Sequence, residues 1–133
     1  MNSGYKPLIL IVDDNATIRN LVATILGEQD MEIVALADGD EALAFVETRR
    51  PDLMLLDLSM PRVDGLEVLK RIRAHPALHD LLILMLTAVA STPRYQEIYA
   101  HKPDGFIEKP FRINDLIQQV KQTLARRRET GPL

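Results

Sequence analysis

Leu8-Ile9-Leu10-Ile11-Val12-Asp13-Asp14 is an unbroken run of five apolar residues stopped by two carboxylates. Directly after it, Ile18, Leu21, Val22, Ile25 and Leu26 recur at i, i+3, i+4, i+7 and i+8, and Gly27 follows as a stop signal. The first pattern predicts a strand buried on both faces, and the second an amphipathic helix. A buried strand feeding a helix is one βα unit, so the fold depends on whether the unit repeats.

The unit repeats along the chain. Ile33-Val34-Ala35-Leu36-Ala37 reads as a second strand and Asp38-Gly39 as a turn. Ala42, Leu43 and Val46 give the inner face of a short helix that Arg50-Pro51 ends, because the residue before proline disfavours helical backbone. Leu53-Met54-Leu55-Leu56-Asp57-Leu58 reads as the third strand, and Met60 to Gly65 as a loop. Leu66, Leu69 and Ile72 form a helical stripe ending before Pro76, and Leu81 to Leu86 the fourth strand. Ser91 or Thr92 is expected to cap a helix opened by Pro93 and carrying Tyr95, Ile98 and Tyr99. Phe106-Ile107 is the fifth strand, ending at Lys109-Pro110, and Ile113, Leu116, Ile117, Val120 and Leu124 mark the last helix.

Five βα units in regular order predict an α/β, doubly wound fold with a five-stranded parallel sheet. Right-handed crossovers favour the strand order 2-1-3-4-5. Residues 1–126 are expected to form the domain, and 127–133 a tail or the start of a linker, whose arginines suit the negative end of the last helix.

Composition narrows the function. With 133 residues, 47% hydrophobic and 26% charged, the chain suits one globular domain. A net charge of −3 lacks the broad basic field of a non-specific nucleic-acid binder, so no direct nucleic-acid contact is expected. The absence of cysteine excludes disulfides, thiolate metal sites and a cysteine nucleophile. No apolar run approaches the ~20 residues of a membrane span, and a cytoplasmic location is expected.

In open parallel sheets, ligands bind beyond the carboxyl ends of the strands. The first strand carries Asp13 and Asp14 there, the third Asp57, the fourth Thr87 and the fifth Lys109. In the expected order these four strands are neighbours. Each residue alone has an ordinary reading: a turn and helix cap, a strand-ending turn residue, a satisfied hydroxyl, a solvated lysine. Together they put three carboxylates, a cation and a hydroxyl on one rim. Converging carboxylates repel unless their pKa values rise or a cation neutralises them. All-oxygen ligands favour Mg²⁺, with Mn²⁺ a second choice. The rim therefore suits a carboxylate, a metal and a phosphoryl group held together.

These residues bring a family into view. The chain resembles the receiver domain of bacterial two-component response regulators, the CheY-like variant of the flavodoxin-like fold. The matching pieces are Val12-Asp13-Asp14, Ala37 to Leu43, Pro51 to Asp57, Met60 to Leu66, Leu86-Thr87-Ala88 and Lys109-Pro110-Phe111. The resemblance implies that Asp57 accepts a phosphoryl group from a sensor histidine kinase or a histidine phosphotransfer protein. It implies that Asp13, Asp14, Asp57 and the backbone carbonyl of Ser59 hold Mg²⁺. Thr87 would contact the phosphoryl oxygen, small Ala88 would leave room beside it, and Lys109 would pair with it. Thr87 and Phe106 would form a switch that reshapes the surface of the fourth helix, fifth strand and fifth helix. That surface would signal to a downstream protein or fused output domain, or form a phosphorylation-dependent homodimer. Pro110 is a candidate for a preceding cis peptide. The domain would promote its own modification without being a turnover enzyme.

The chain departs from the family where Phe106 stands in place of the frequent tyrosine. Ser59 and Val89 flank the site at variable positions, and Val89 cannot position an attacking water, so slow self-dephosphorylation is expected. Two other functions compete. A small Mg²⁺-dependent phosphatase would want a second aspartate at position 59, where Ser59 stands. A phosphorylation-independent interaction module would lack the acidic pair or Lys109, and both are present.

Overall fold

The computed structural model describes residues 5–88 and 94–130. Strands and helices alternate: β1 (Leu8–Val12), α1 (Ala16–Gly27), β2 (Glu32–Leu36), α2 (Gly39–Thr48), β3 (Leu53–Asp57), α3 (Gly65–Ala74), β4 (Leu82–Thr87), α4 (Tyr95–Ala100), β5 (Gly105–Glu108) and α5 (Ile113–Thr130). The strands form one sheet in the order β2-β1-β3-β4-β5, with every pair parallel. This is the topology expected from the repeat.

The period of two along each strand divides the core in two. Leu10, Val12, Met54, Leu56, Ile83 and Met85 face one side, against Ala42 and Val46 of α2, Leu66, Leu69 and Ile72 of α3, and Ile98 of α4. Ile9, Ile11, Leu53, Leu55, Leu84 and Leu86 face the other, against Val22, Ile25 and Leu26 of α1 and Leu116 and Val120 of α5. β1, β3 and β4 are buried along their whole length. β2 is not: its residues are half-buried or exposed, because it is the sheet's edge. The expectation that apolar runs are buried on both faces therefore fails at this strand.

Among the described residues, three helix starts are capped by side chains. Asn15 accepts from the Ile18 N–H, Asp38 from Glu41 and Asp64 from Glu67. The last two are aspartates followed three residues on by glutamate, the pattern of a capping box. The cap expected from Ser91 or Thr92, and the Pro93 start, lie outside the described residues. α4 is described from Tyr95, with Arg94 as its N-cap and no side-chain capping bond there. α5 continues to Thr130, past position 126 where the tail was set, so the helix takes in residues 127–130.

His75 is the C-cap residue of α3. It is half-buried at the end of α3, where its Nδ1 accepts from the Ala77 N–H and its Nε2 stands 3.4 Å from Glu47.

Candidate functional site

The strand ends deliver their polar groups to one place. Asp13 directly follows β1, Asp57 closes β3, Thr87 closes β4 and Lys109 directly follows β5. Asp13 is fully buried, Asp57 is 6% exposed and Thr87 is 4% exposed. Asp14 is exposed. One carboxylate oxygen from each of Asp13, Asp14 and Asp57 lies within 4.8 Å of the others, a set that could hold a cation. Lys109 reaches between two of them, with Nζ 3.0 Å from Asp13 Oδ2 and 3.3 Å from Asp57 Oδ1.

Burial sets the electrostatics. It raises the Asp57 carboxyl from 3.8 to about 6; the charge of Asp13 adds to the rise, and Lys109 pulls against it. Burial also disfavours the Lys109 ammonium. Its hydrogen bond to Asp13 and the charges of Asp57 and Asp13 outweigh that, so its pKa lies above the ordinary lysine value. Asp57 is thus largely ionised at neutral pH, and an ammonium is fixed beside it.

The loop after β3 folds tightly over the site. A Cβ on Gly65 would stand 2.2 Å from the Asp57 carbonyl oxygen, so only glycine permits this approach. The Gly65 N–H donates to the Leu58 carbonyl at 2.8 Å. Ser59 is exposed at the start of this loop. Arg62 adopts φ 63°, a left-handed conformation uncommon for a residue with a side chain. Its guanidinium lies 3.0 Å from Asp38 and 3.5 Å from Asp40, bracing the loop on the start of α2.

Ala88 follows Thr87 and is exposed. Phe106 is half-buried against Tyr95, with ring centroids 4.8 Å apart, and Tyr99 stacks on both rings. The Lys109–Pro110 peptide bond is cis. Val89 lies outside the described residues.

Sequence reasoning missed the basic residues that brace the rim: Arg19 on the Asp13 carbonyl, Arg62 on Asp38 and Asp40, and Arg94 on Asp64. Only the capping-box aspartates at 38 and 64 carried a local signal for two of these pairings.

The profile of the response regulator receiver domain matches residues 9–121. The chain belongs to the response regulator receiver domain family. The transcriptional regulatory protein ResD of Bacillus subtilis is 38% identical over 98% of this chain and 53% of its own length. The phosphate regulon transcriptional regulatory protein PhoB of Pseudomonas aeruginosa is 35% identical over 93% of this chain and 53% of its own. The chain thus spans about half the length of these curated relatives. Among solved structures, the chemotaxis response regulator CheY4 of Vibrio cholerae superposes with a TM-score of 0.84 at 33% identity, covering 90% of this chain and 99% of that one. A CheY-like receiver domain protein from Methanospirillum hungatei gives 0.87 at 28% identity, covering 96% and 100%. The five-stranded flavodoxin-like receiver fold, the family and its place in two-component signalling are thereby established. Among the described residues no helix is long and apolar enough to cross a membrane.

Proposed function

We propose that Asp57 is the phosphoacceptor of this receiver domain. The observation that carries the reading is the meeting of three carboxylates and Lys109 at the carboxyl edge of the sheet. The donor would be a phosphohistidine on a sensor histidine kinase or a histidine phosphotransfer protein. An Asp57 carboxylate oxygen attacks phosphorus, a P–O bond forms, and the P–N bond breaks with its electron pair leaving on the imidazole. The domain promotes this single modification and is not a turnover enzyme.

Three features of the chain support the step. Asp57 is ionised at neutral pH despite its burial, so it is a competent nucleophile. Lys109 stands where it would stabilise charge on the phosphoryl oxygens, and Thr87 ends the adjacent strand as a hydroxyl donor, with small Ala88 beside it. The all-oxygen donor set, Asp13, Asp14 and Asp57 with the Ser59 carbonyl, fits Mg²⁺ and tolerates Mn²⁺. When bound, the ion would neutralise the carboxylates and the transferring group, which suits a loose transition state whose catalysis is mostly positioning and charge.

Phosphorylation adds about −1.5 to −2 charges and new acceptor oxygens at the rim. Thr87 then turns toward the phosphoryl group, Phe106 follows into the vacated space, and the Tyr95–Phe106–Tyr99 stack rearranges. This would alter the α4–β5–α5 face read by a downstream protein, a fused output domain or a second receiver. We assign residues 1–126 to the receiver and 127–133 to a tail or linker, and place the domain in the cytoplasm. DNA contact, where the whole protein makes any, would belong to an output domain. Intact mass after incubation with Mg²⁺ and acetyl phosphate tests the reading: wild type gains one phosphoryl group, and Asp57→Asn gains none.

A further inference from the structure

Asp13 is held at every oxygen it has. Its Oδ1 accepts from the Asn15 N–H at 2.9 Å and its Oδ2 from Lys109 at 3.0 Å. Its backbone carbonyl lies past the last rung of the β1–β2 ladder, which pairs Val12 with Leu36. A buried carbonyl without a ladder partner needs another donor. Arg19, on the first turn of α1, folds back across six residues and places Nη1 2.8 Å from that carbonyl. The Arg19 backbone N–H also donates to the carbonyl of Asn15, the helix cap, at 2.9 Å. One residue thus grips both ends of the turn that presents Asp14.

We infer that Arg19 is a positioning residue for the acidic site, fixing the β1–α1 turn so that Asp13 and Asp14 are aligned for a divalent cation. The inference rests on the phosphoacceptor reading above. Arg19 is half-buried, and its guanidinium acts on the backbone of Asp13 rather than on any reacting atom. A bond to a main-chain carbonyl fixes direction where an ion pair to the carboxylate would compete with the cation. Groups that orient metal ligands from behind in this way typically govern affinity by 10–100-fold.

Arg19→Met keeps an unbranched stem and good helix propensity while removing every donor. Two readouts on the full chain test the role. The first is the dissociation constant for Mg²⁺ by titration calorimetry, which should weaken by roughly 10-fold in Arg19→Met and less in Arg19→Lys. The second is hydrogen exchange of the Asn15 amide in metal-free protein, which should accelerate while the β3 amides stay as in wild type. An Mg²⁺ affinity within about twofold of wild type, with Asn15 exchange unchanged, overturns the inference alone. A wild-type protein that binds no Mg²⁺ overturns the site reading and this inference with it. A uniform loss of protection in β3 as well as Asn15 makes Arg19 a general stability residue and also overturns it.

Discussion

Lys109 and Asp13, 96 positions apart, meet at 3.0 Å, and Asp13 is fully buried while Lys109 keeps 20% of its side chain exposed. Removing the cation leaves a buried carboxylate facing Asp57 without its partner. Breaking a buried pair from one side is strongly destabilising. Lys109→Ala should therefore lose roughly 2–4 kcal/mol in metal-free buffer, read as a lower urea midpoint with unchanged slope. It should also uncouple phosphorylation from output. Wild-type signalling by this variant would sink the second expectation.

Asp57 carries the opposite sign. Its carboxyl is raised to about 6 in the folded protein from 3.8 unfolded. The folded state thus holds a proton more tightly, and its stability falls as pH rises through the window between about 4 and about 6. Above that window the ionised carboxylate destabilises the metal-free protein by a constant ~1–3 kcal/mol. Asp57→Asn should be more stable than wild type at pH 7 in chelator, and the excess should shrink as pH falls to 4. Urea midpoints across this range measure it; a variant less stable than wild type at pH 7 would refute the burial argument.

Cation binding should reverse that penalty. At 100 times its dissociation constant a ligand adds about 2.7 kcal/mol of stability. Mg²⁺ should raise the melting temperature of wild type and do little for Asp14→Asn, which removes one of the three carboxylates that could hold the cation. Thermal scans with and without chelator decide this, with Na⁺ at matched ionic strength as the control for screening.

At the opposite end of the sheet, Arg73 holds α3, β4 and the turn before β5 together. It donates to the carbonyls of His79, Leu81 and Lys102 and to the Asp104 carboxylate, which itself accepts from the Ile83 N–H at 2.8 Å. Arg73→Ala should cost roughly 2–4 kcal/mol. Arg73→Lys should recover only part, because an ammonium lacks the planar fork. Phosphodonor labelling of the surviving folded protein should be unaffected.

Much of this was legible in the sequence because burial writes itself into residue type. β1, β3 and β4 are interior strands, and their apolar runs announced them. The acidic pair, Asp57, Thr87 and Lys109 were legible because each stands at a strand end, where topology alone brings them together. The expected strand order put β2 at the sheet's edge, as observed, but its apolar run read as covered on both faces, and an apolar run does not say how much of an edge strand is covered. Arg19, Arg62, Arg73 and Arg94 were invisible as braces. A long side chain's target depends on loop conformation, and Arg62 sits in a backbone region its residue type does not advertise.

Position 89 carries valine, whose aliphatic side chain has no polar atom to position a water for attack on phosphorus. The aspartyl phosphate should persist for minutes rather than seconds at neutral pH. Mass spectra taken at intervals after removal of the phosphodonor give the lifetime, and decay within seconds would contradict this.

Asp57, and no other carboxylate, should take the phosphoryl group. The most direct test is borohydride trapping after incubation with Mg²⁺ and acetyl phosphate, followed by peptide mapping, because hydride converts an aspartyl phosphate to homoserine. The account predicts homoserine at position 57 alone, abolished by chelator. Homoserine at position 13 or 14, or full conversion at 57 in chelator, would contradict it.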